Sequence, residues 1–310
     1  MSIHPRRRLL APLVAVPLLL AGCASDPGVA EGTVDVMASF YPLQFVAEQV
    51  GGDRVTVRSL TPPGAEPHDV ELSPAQVSRI DQADLVVYLS GFQAAVDDAV
   101  AQTSPAHVVD AANDTTLMTP AEEHGHEEGA DEGEEHDHGA LDPHFWLDPS
   151  RMPSVVDDVA KELSAIDPAG ASAYAANAAA LNQRFDDLDA TYDTGLTTCE
   201  TRTFVTSHEA FGYLADRYDL EQVGISGIDP EAEPSPARLA AVEKIVREQH
   251  VSTIFFESLV SPKVSETLAD DLGIQSAVLD PIEGLADPAD DYFSIAERNL
   301  DALRMALSCS

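Results

Sequence analysis

The sequence has few basic residues for its length. It contains 17 lysine and arginine residues against 54 aspartate and glutamate residues, which gives a formal net charge of −37 at pH 7. A chain of this charge repels the phosphate backbone of nucleic acids and attracts cations. The composition therefore excludes nucleic acid as a partner and favours a cationic ligand.

The sequence also lacks a hydrophobic run long enough to cross a membrane. Its longest apolar run, residues 9–20, is shorter than the about 20 residues that a transmembrane helix needs. The run follows three arginines and ends in Leu20-Ala21-Gly22-Cys23, which resembles the lipobox of bacterial lipoproteins. This resemblance implies a signal peptide over residues 1–22, lipid on Cys23 and a lipid-anchored tether over residues 23–32. We therefore expect the mature chain to be exported and held at the outer face of the cell membrane.

Cysteine is scarce as well. The chain has three cysteines and no CxxC pair of the kind that is typical of thiolate metal sites. Lipidation of Cys23 would leave Cys199 and Cys309. Because an exported chain matures in an oxidising environment, we predict a disulfide bond between these two residues.

Short β-branched or aromatic runs alternate with helical patterns in both halves of the chain. The predicted strands are residues 33–38, 54–60, 85–89, 108–110, 203–206, 222–225, 253–257 and 275–279. Strands that alternate with helices indicate parallel sheets and an α/β fold.

A long helix is predicted between the two halves. Residues 168–196 are rich in alanine, leucine, asparagine and glutamine and have no glycine or proline in their central part. The pattern fits either a connector between two lobes or a core helix of one large domain. We predict the connector, with lobes over residues 33–166 and 197–310 and the connecting helix over residues 167–196.

Residues 121–140 combine many acids with four of the ten histidines of the chain. These histidines are His124, His126, His136 and His138. Low hydrophobicity and high charge predict a disordered loop within the first lobe. The loop could merely solvate the protein, but its histidine content favours auxiliary metal binding through many weak sites.

Three further histidines and one aspartate lie beside predicted turns. His68 follows a strand in a proline-rich loop, His144 lies between two Asp-Pro turns, His208 follows the strand 203–206, and Asp280 ends the last strand. Ligands of open α/β sheets bind beyond the carboxyl ends of strands. Three imidazoles and one carboxylate suit Zn²⁺, although imidazole also binds Cu²⁺ and Ni²⁺. The wide spacing is no local motif, so a structural role for each histidine stays open at this point.

Several motifs resemble those of the metal-binding solute receptors of ABC transporters, and of the zinc branch in particular. The resemblance covers residues 34–307. Its motifs are Ser39-Phe40-Tyr41-Pro42, Gly64-Ala65-Glu66-Pro67-His68-Asp69, Asp142-Pro143-His144-Phe145-Trp146-Leu147-Asp148-Pro149, Ser207-His208-Glu209-Ala210-Phe211-Gly212-Tyr213-Leu214, Phe255-Phe256-Glu257 and Leu279-Asp280-Pro281-Ile282-Glu283-Gly284-Leu285. The resemblance implies two (β/α)₄ lobes with mostly parallel four-stranded sheets, one long rigid connecting helix and a metal site between the lobes.

The resemblance also implies a ligand set. His68 and His144 correspond to the metal ligands of the first lobe, and His208 to the first ligand of the second lobe. A histidine at position 208 indicates zinc, because the manganese receptors typically carry glutamate there.

The fourth ligand is less sharply defined by the resemblance. Asp280 matches an aspartate of the family and is the predicted fourth ligand, with Glu66 or water as the alternative. Glu257 matches an acid near the cleft, and we expect it to hold an imidazole N–H in place from outside the ligand set.

Together these features predict a monomeric, high-affinity receptor that captures Zn²⁺ and delivers it to the permease of an ABC transporter. A manganese or iron receptor of the same fold and a metal-dependent adhesin are the alternatives. A zinc hydrolase is disfavoured because the sequence has neither HExxH nor GxSxG, and four protein ligands would leave no position for water. We therefore predict no enzymatic activity.

Overall fold

The computed structural model describes Met1, residues 32–119 and residues 141–310. The predicted signal peptide, Cys23, most of the tether and the four histidines of residues 121–140 lie outside the described residues. Among the helices of the described part, none combines the length and the apolar character that crossing a membrane requires.

The first half of the chain forms a parallel four-stranded sheet in the order β2-β1-β3-β4. Its strands are β1 (Val34–Ala38), β2 (Val55–Ser59), β3 (Leu85–Tyr88) and β4 (Val108–Asp110). Its helices are α1 (Tyr41–Gly51), α2 (Pro74–Gln82), α3 (Ala94–Thr103) and α4 (Met152–Ile166). The central strands are buried and rich in valine, as expected where helices cover both faces of a parallel sheet.

The long helix α5 (Ala171–Leu196) joins the two halves. Its buried side chains recur every three or four residues and form one apolar stripe, which is Tyr174, Ala178, Leu181, Phe185, Leu188, Tyr192 and Leu196. The helix packs against α1 and α4 of the first half and against the C-terminal helix, Tyr292–Ala306, of the second half. One continuous hydrophobic cluster therefore runs along α5 and includes residues of both halves.

The second half repeats the arrangement with a parallel sheet in the order β6-β5-β7-β8. Its strands are β5 (Thr203–Thr206), β6 (Glu221–Gly224), β7 (Thr253–Phe256) and β8 (Gln275–Val278). Its helices are α6 (Gly212–Arg217), α7 (Pro236–Glu248), α8 (Lys263–Leu272) and α9 (Tyr292–Ala306).

The predicted fold class, two parallel four-stranded sheets joined by a long helix, is confirmed. The predicted disulfide bond is present between Cys199 and Cys309, whose Cα atoms lie 3.8 Å apart. This bond ties the segment after α5 to the last turn of the chain, where Ser310 also donates its backbone N–H to Thr198. The boundaries of the lobes stay a prediction.

Candidate metal centre

Three histidines and one glutamate converge at the interface of the two halves. His68, His144, His208 and Glu283 each offer one ligand atom, and these four atoms lie within 4.8 Å of one another. Oε1 of Glu283 lies 3.0 Å from Nε2 of His144, 3.4 Å from that of His68 and 3.6 Å from that of His208. Bonds of 2.0–2.1 Å to a tetrahedral zinc ion would separate ligand atoms by about 3.3 Å. The observed spacing thus fits a single tetrahedral ion.

His68 is carried by the proline-rich loop that follows β2. The buried side chain of Gln93 donates to the carbonyl oxygen of Pro67 at 2.9 Å and to the hydroxyl of Thr61 at 3.0 Å, which fixes this loop. Both carboxylate oxygens of Glu66 lie 3.0 Å from the backbone nitrogen of His68 and accept its N–H. Burial raises the pKa of Glu66 to about 7. Glu66 therefore supports the backbone of His68, and it is not a member of the four-residue cluster.

His144 is held by an aspartate two residues earlier in the chain. Oδ1 of Asp142 accepts the backbone N–H of His144 at 2.9 Å and also lies 2.7 Å from Nδ1 of its ring. Burial alone would lower the pKa of His144, but the hydrogen bonds to Asp142 and Glu283 outweigh it and raise the pKa. A proton on Nδ1 leaves the lone pair of Nε2 facing the other ligands. Asp142 is not among the site residues predicted from the sequence.

His208 is held in the same way by Glu257, which directly follows β7. Nδ1 of His208 lies 2.8 Å from Oε1 of Glu257, and the hydroxyl of Ser207 donates to the same oxygen at 2.9 Å. Burial would lower the pKa of His208, but the interactions with Glu257 and Glu283 raise it to about 10. The structure thus places Glu257 beside an imidazole N–H, where the sequence analysis expected it.

Asp280, the predicted fourth ligand, is not a member of the cluster, and Glu283 takes that position. Oδ2 of Asp280 accepts the hydroxyl of Ser258, and its Oδ1 accepts the backbone N–H of Ile282 at 2.8 Å. Both oxygens are therefore engaged, one by Ser258 beyond the end of β7 and one by the loop that follows β8. Ile282 has a φ of +58°, and the carboxylate of the next residue, Glu283, lies against the three histidines.

One signal in the sequence could have indicated Glu283. Glu283 is the only acidic residue in the otherwise apolar run Pro281-Ile282-Glu283-Gly284-Leu285. In the structure this glutamate is 1% exposed. A carboxylate buried among apolar neighbours is too costly unless it is paired or binds a metal.

The cluster holds a buried negative charge that favours binding of a cation. Burial would raise the pKa of Glu283, but the interactions with His144, His208 and His68 lower it well below the ordinary value. Among the described residues, Nε2 of His208 and Oε2 of Glu283 are buried without a hydrogen-bond partner. Six other buried side-chain atoms of the described residues also lack a partner, but these two belong to the cluster, where a bound ion would satisfy them.

Comparison with known proteins identifies the family. Residues 36–306 match the family described as zinc-uptake complex component A, periplasmic. The zinc-binding lipoprotein AdcA of Streptococcus pneumoniae (strain R6) is 37% identical over 304 residues, which cover 96% of this chain and 60% of the relative. The high-affinity zinc uptake system protein ZnuA of Bacillus subtilis (strain 168) is 37% identical over 307 residues, which cover 95% of this chain and 96% of the relative. The chain thus spans less than two thirds of the AdcA relative but nearly all of the ZnuA relative.

Solved structures agree with this result. Zn(II)-bound AdcA of S. pneumoniae matches with a TM-score of 0.74 and 33% identity, over 89% of this chain and 58% of that protein. The laminin-binding protein Lmb of Streptococcus agalactiae, described as having adhesin and metal transporting activity, matches with a TM-score of 0.78 and 33% identity, over 89% of this chain and 99% of that protein. The predicted family resemblance is therefore confirmed, and the chain belongs to the zinc-uptake complex component A family.

Proposed function

We propose that this protein binds one Zn²⁺ ion as its cargo through His68, His144, His208 and Glu283 and delivers it to the permease of an ABC transporter. The observation that carries the proposal is the convergence of three imidazole nitrogens and one carboxylate oxygen within 4.8 Å. Nitrogen-rich tetrahedral sets suit zinc, whereas manganese prefers more oxygen ligands. The alternative of a manganese or iron receptor is disfavoured for this reason.

The residues around the ligands support zinc binding. Asp142 and Glu257 each accept the Nδ1 proton of a ligand histidine, which leaves Nε2 free to bind the ion. Carboxylates in this position orient the imidazole and raise its basicity. The roles of Asp142 and Glu257 in zinc binding are part of the proposal.

Access to the site is uneven. The side chains of His144 and Glu283 are fully buried and that of His208 is 1% exposed, whereas that of His68 is 12% exposed. In the proposed mechanism the site opens at His68, its most exposed ligand, to admit and release the ion. Contact with the permease then favours the open arrangement, so that zinc leaves towards the membrane.

The proposal includes a location and an assembly state. Cys23 would carry the lipid, and the monomeric protein would remain on the outer face of the cell membrane. Two relatives are named zinc-binding lipoproteins, which supports an anchored receptor. No enzymatic step is proposed, because four protein ligands complete a tetrahedral shell and leave no position for a reactive water.

Adhesion is the second candidate function. It is favoured by the similarity to Lmb, whose description includes adhesin activity. A solid-phase laminin-binding assay with zinc-loaded and zinc-free protein tests it. Saturable binding that requires zinc would support adhesion, and absence of binding in both forms would exclude it.

The proposed function is tested by a metal titration. Metal-stripped protein without residues 1–22 is titrated with Zn²⁺ and with Mn²⁺ in competition with a chromophoric chelator, and Glu283→Gln is titrated beside it. We expect one tight zinc site, weak manganese binding and a clear loss of zinc affinity in the variant. Absence of a tight zinc site in the unaltered protein would overturn the proposal.

A further inference from the structure

The loop between β8 and Glu283 is held by contacts to consecutive residues. The backbone N–H of Asp280 donates to Oδ1 of Asn299 at 2.9 Å, and Nδ2 of Asn299 donates back to the carbonyl oxygen of Asp280 at 2.6 Å. The next carbonyl, that of Pro281, accepts the indole N–H of Trp146 at 2.8 Å. The following N–H, that of Ile282, donates to the side chain of Asp280 at 2.8 Å. The backbone before Glu283 is thus restrained at every residue.

These restraints hold a conformation that the local sequence disfavours. Ile282 is buried and has a φ of +58°. A left-handed backbone is a true outlier for a β-branched residue, because its side chain then crowds the backbone. Strain of this kind persists only where the surroundings hold it in place, and such places cluster at functional sites.

We propose that Asp280 is a positioning residue for metal binding that acts through Glu283. Its two oxygens hold the N–H of Ile282 and the hydroxyl of Ser258, which fixes the left-handed turn and places the carboxylate of Glu283 against the histidines. The inference rests on the proposed function, since it assumes that Glu283 binds the ion.

The contact with Ser258 links this support to that of another ligand. Ser258 directly follows Glu257, which holds the ring of His208. The end of β7 therefore supplies the partner of His208 and the partner of Asp280 from adjacent residues. His208 and Glu283, the two ligands of the second half, thus share one support.

Two substitutions separate positioning from direct ligation. Asp280→Ala removes both acceptors, and we expect a loss of zinc affinity of about 10- to 100-fold, as is typical for residues that orient metal ligands. Asp280→Asn keeps an oxygen that can accept the N–H of Ile282, and its amide N–H can donate to the hydroxyl of Ser258. We expect the asparagine variant to retain most of the affinity, whereas a direct carboxylate ligand would not tolerate either change.

The decisive measurement is a double-mutant cycle with Glu283→Gln. The dissociation constants for Zn²⁺ of the full-length protein, Asp280→Ala, Glu283→Gln and the double variant are determined by chelator competition. If Asp280 acts through Glu283, Asp280→Ala adds little to the loss already caused by Glu283→Gln. Additive losses, or equal damage from the alanine and asparagine variants, would overturn the inference.

Two controls keep this outcome distinct from others. Asp271→Ala, a change of an exposed aspartate in α8, should leave zinc affinity unchanged. If Asp280→Ala does not fold by circular dichroism, Ser258→Ala takes its place in the same cycle, and an unchanged affinity in that variant overturns the inference. Failure of the unaltered protein to bind zinc refutes the proposed function, whereas tight binding that Asp280→Ala leaves unchanged refutes only the role of Asp280.

Discussion

Trp146 donates its indole N–H to the carbonyl oxygen of Pro281 at 2.8 Å, and this bond joins the segment of His144 to the loop of Glu283. The hydroxyl of Tyr292 donates to the backbone oxygen of Trp146 from the other side. The indole ring is fully buried and packs against Phe40, so it does not move independently of the core. Ligands that are far apart in the sequence are therefore held at their spacing by packing between the two halves.

Removal of His208 tests the ligand set. His208→Ala deletes one nitrogen ligand and leaves Glu257 and Glu283 buried without this partner. We expect a loss of binding free energy of about 3 kcal/mol or more, which corresponds to roughly a hundredfold in Kd. Chelator competition measures the affinity, and circular dichroism checks the fold. An unchanged affinity in a folded variant would remove His208 from the site.

Zinc binding should release protons at neutral pH. The pKa of His208 is raised to about 10 and that of His144 is raised as well, so the metal-free protein holds protons on these rings that zinc must displace. Apparent zinc affinity should therefore rise as pH rises and fall as pH falls. Isothermal titration at pH 7 in two buffers with different ionisation enthalpies should show about one proton or more released per zinc ion. Equal heats in both buffers would contradict the expectation.

Glu257 should act on affinity through the ring of His208. Glu257→Gln keeps an acceptor for the Nδ1 proton but removes the negative charge that raises the basicity of the imidazole. We expect zinc affinity to fall by about 10- to 100-fold while one ion is still bound. Glu248→Gln, a change of an exposed glutamate at the end of α7, is the matched control and should bind zinc as the unaltered protein does. Equal affinities of the two variants would exclude this role.

The disulfide bond should stabilise the fold without affecting the site. Replacing Cys199 and Cys309 with serine removes a link that spans 110 residues. We expect the free energy of unfolding to fall by about 2–4 kcal/mol in urea titrations. Zinc affinity should not change, because the bond lies at the end of α5 and not beside the ligands. A large loss of zinc affinity in the folded variant would contradict this separation.

The His-rich segment should be dispensable for the tight site. The described residues on either side of it meet, because the backbone N–H of Asp142 donates to the carbonyl oxygen of Met118 at 2.8 Å. A short glycine linker in place of residues 121–140 should therefore preserve the fold and the tight phase of a zinc titration. We expect only weaker binding phases to disappear. A weakened tight phase would show that the segment contributes to the main site.

The sequence predicted the fold of this protein better than it predicted which residues form the cluster. Strands such as Val108–Asp110 and Thr203–Thr206 were located to the residue, because β-branched runs between turn signals are local features. The family resemblance predicted the three histidines as ligands, with His68 and His208 beside strand ends and His144 between two Asp-Pro turns, and the structure brings their rings together. Their convergence depends on contacts between residues far apart in the chain, which no local pattern encodes.

The place of Glu283 in the cluster, where the sequence predicted Asp280, has a physical cause. Both Asp280 and Glu283 follow β8, and the choice between them depends on the left-handed turn at Ile282. Isoleucine disfavours that conformation, so its own sequence preference pointed away from the turn. The contacts that impose it come from Ser258 and Asn299, which lie on other elements of the second half.

The two sheets share one strand order, β2-β1-β3-β4 and β6-β5-β7-β8, so the frame is a repeat of a single unit. The ligands do not follow this repeat. The first half contributes His68 from beyond its second strand and His144 from the segment before α4, whereas the second half contributes His208 from beyond its first strand and Glu283 from beyond its fourth. A chimera made of two copies of either half would therefore lack two of the four residues of the cluster. The two halves thus share a strand order but supply different residues to the cluster, and neither half can replace the other in the site.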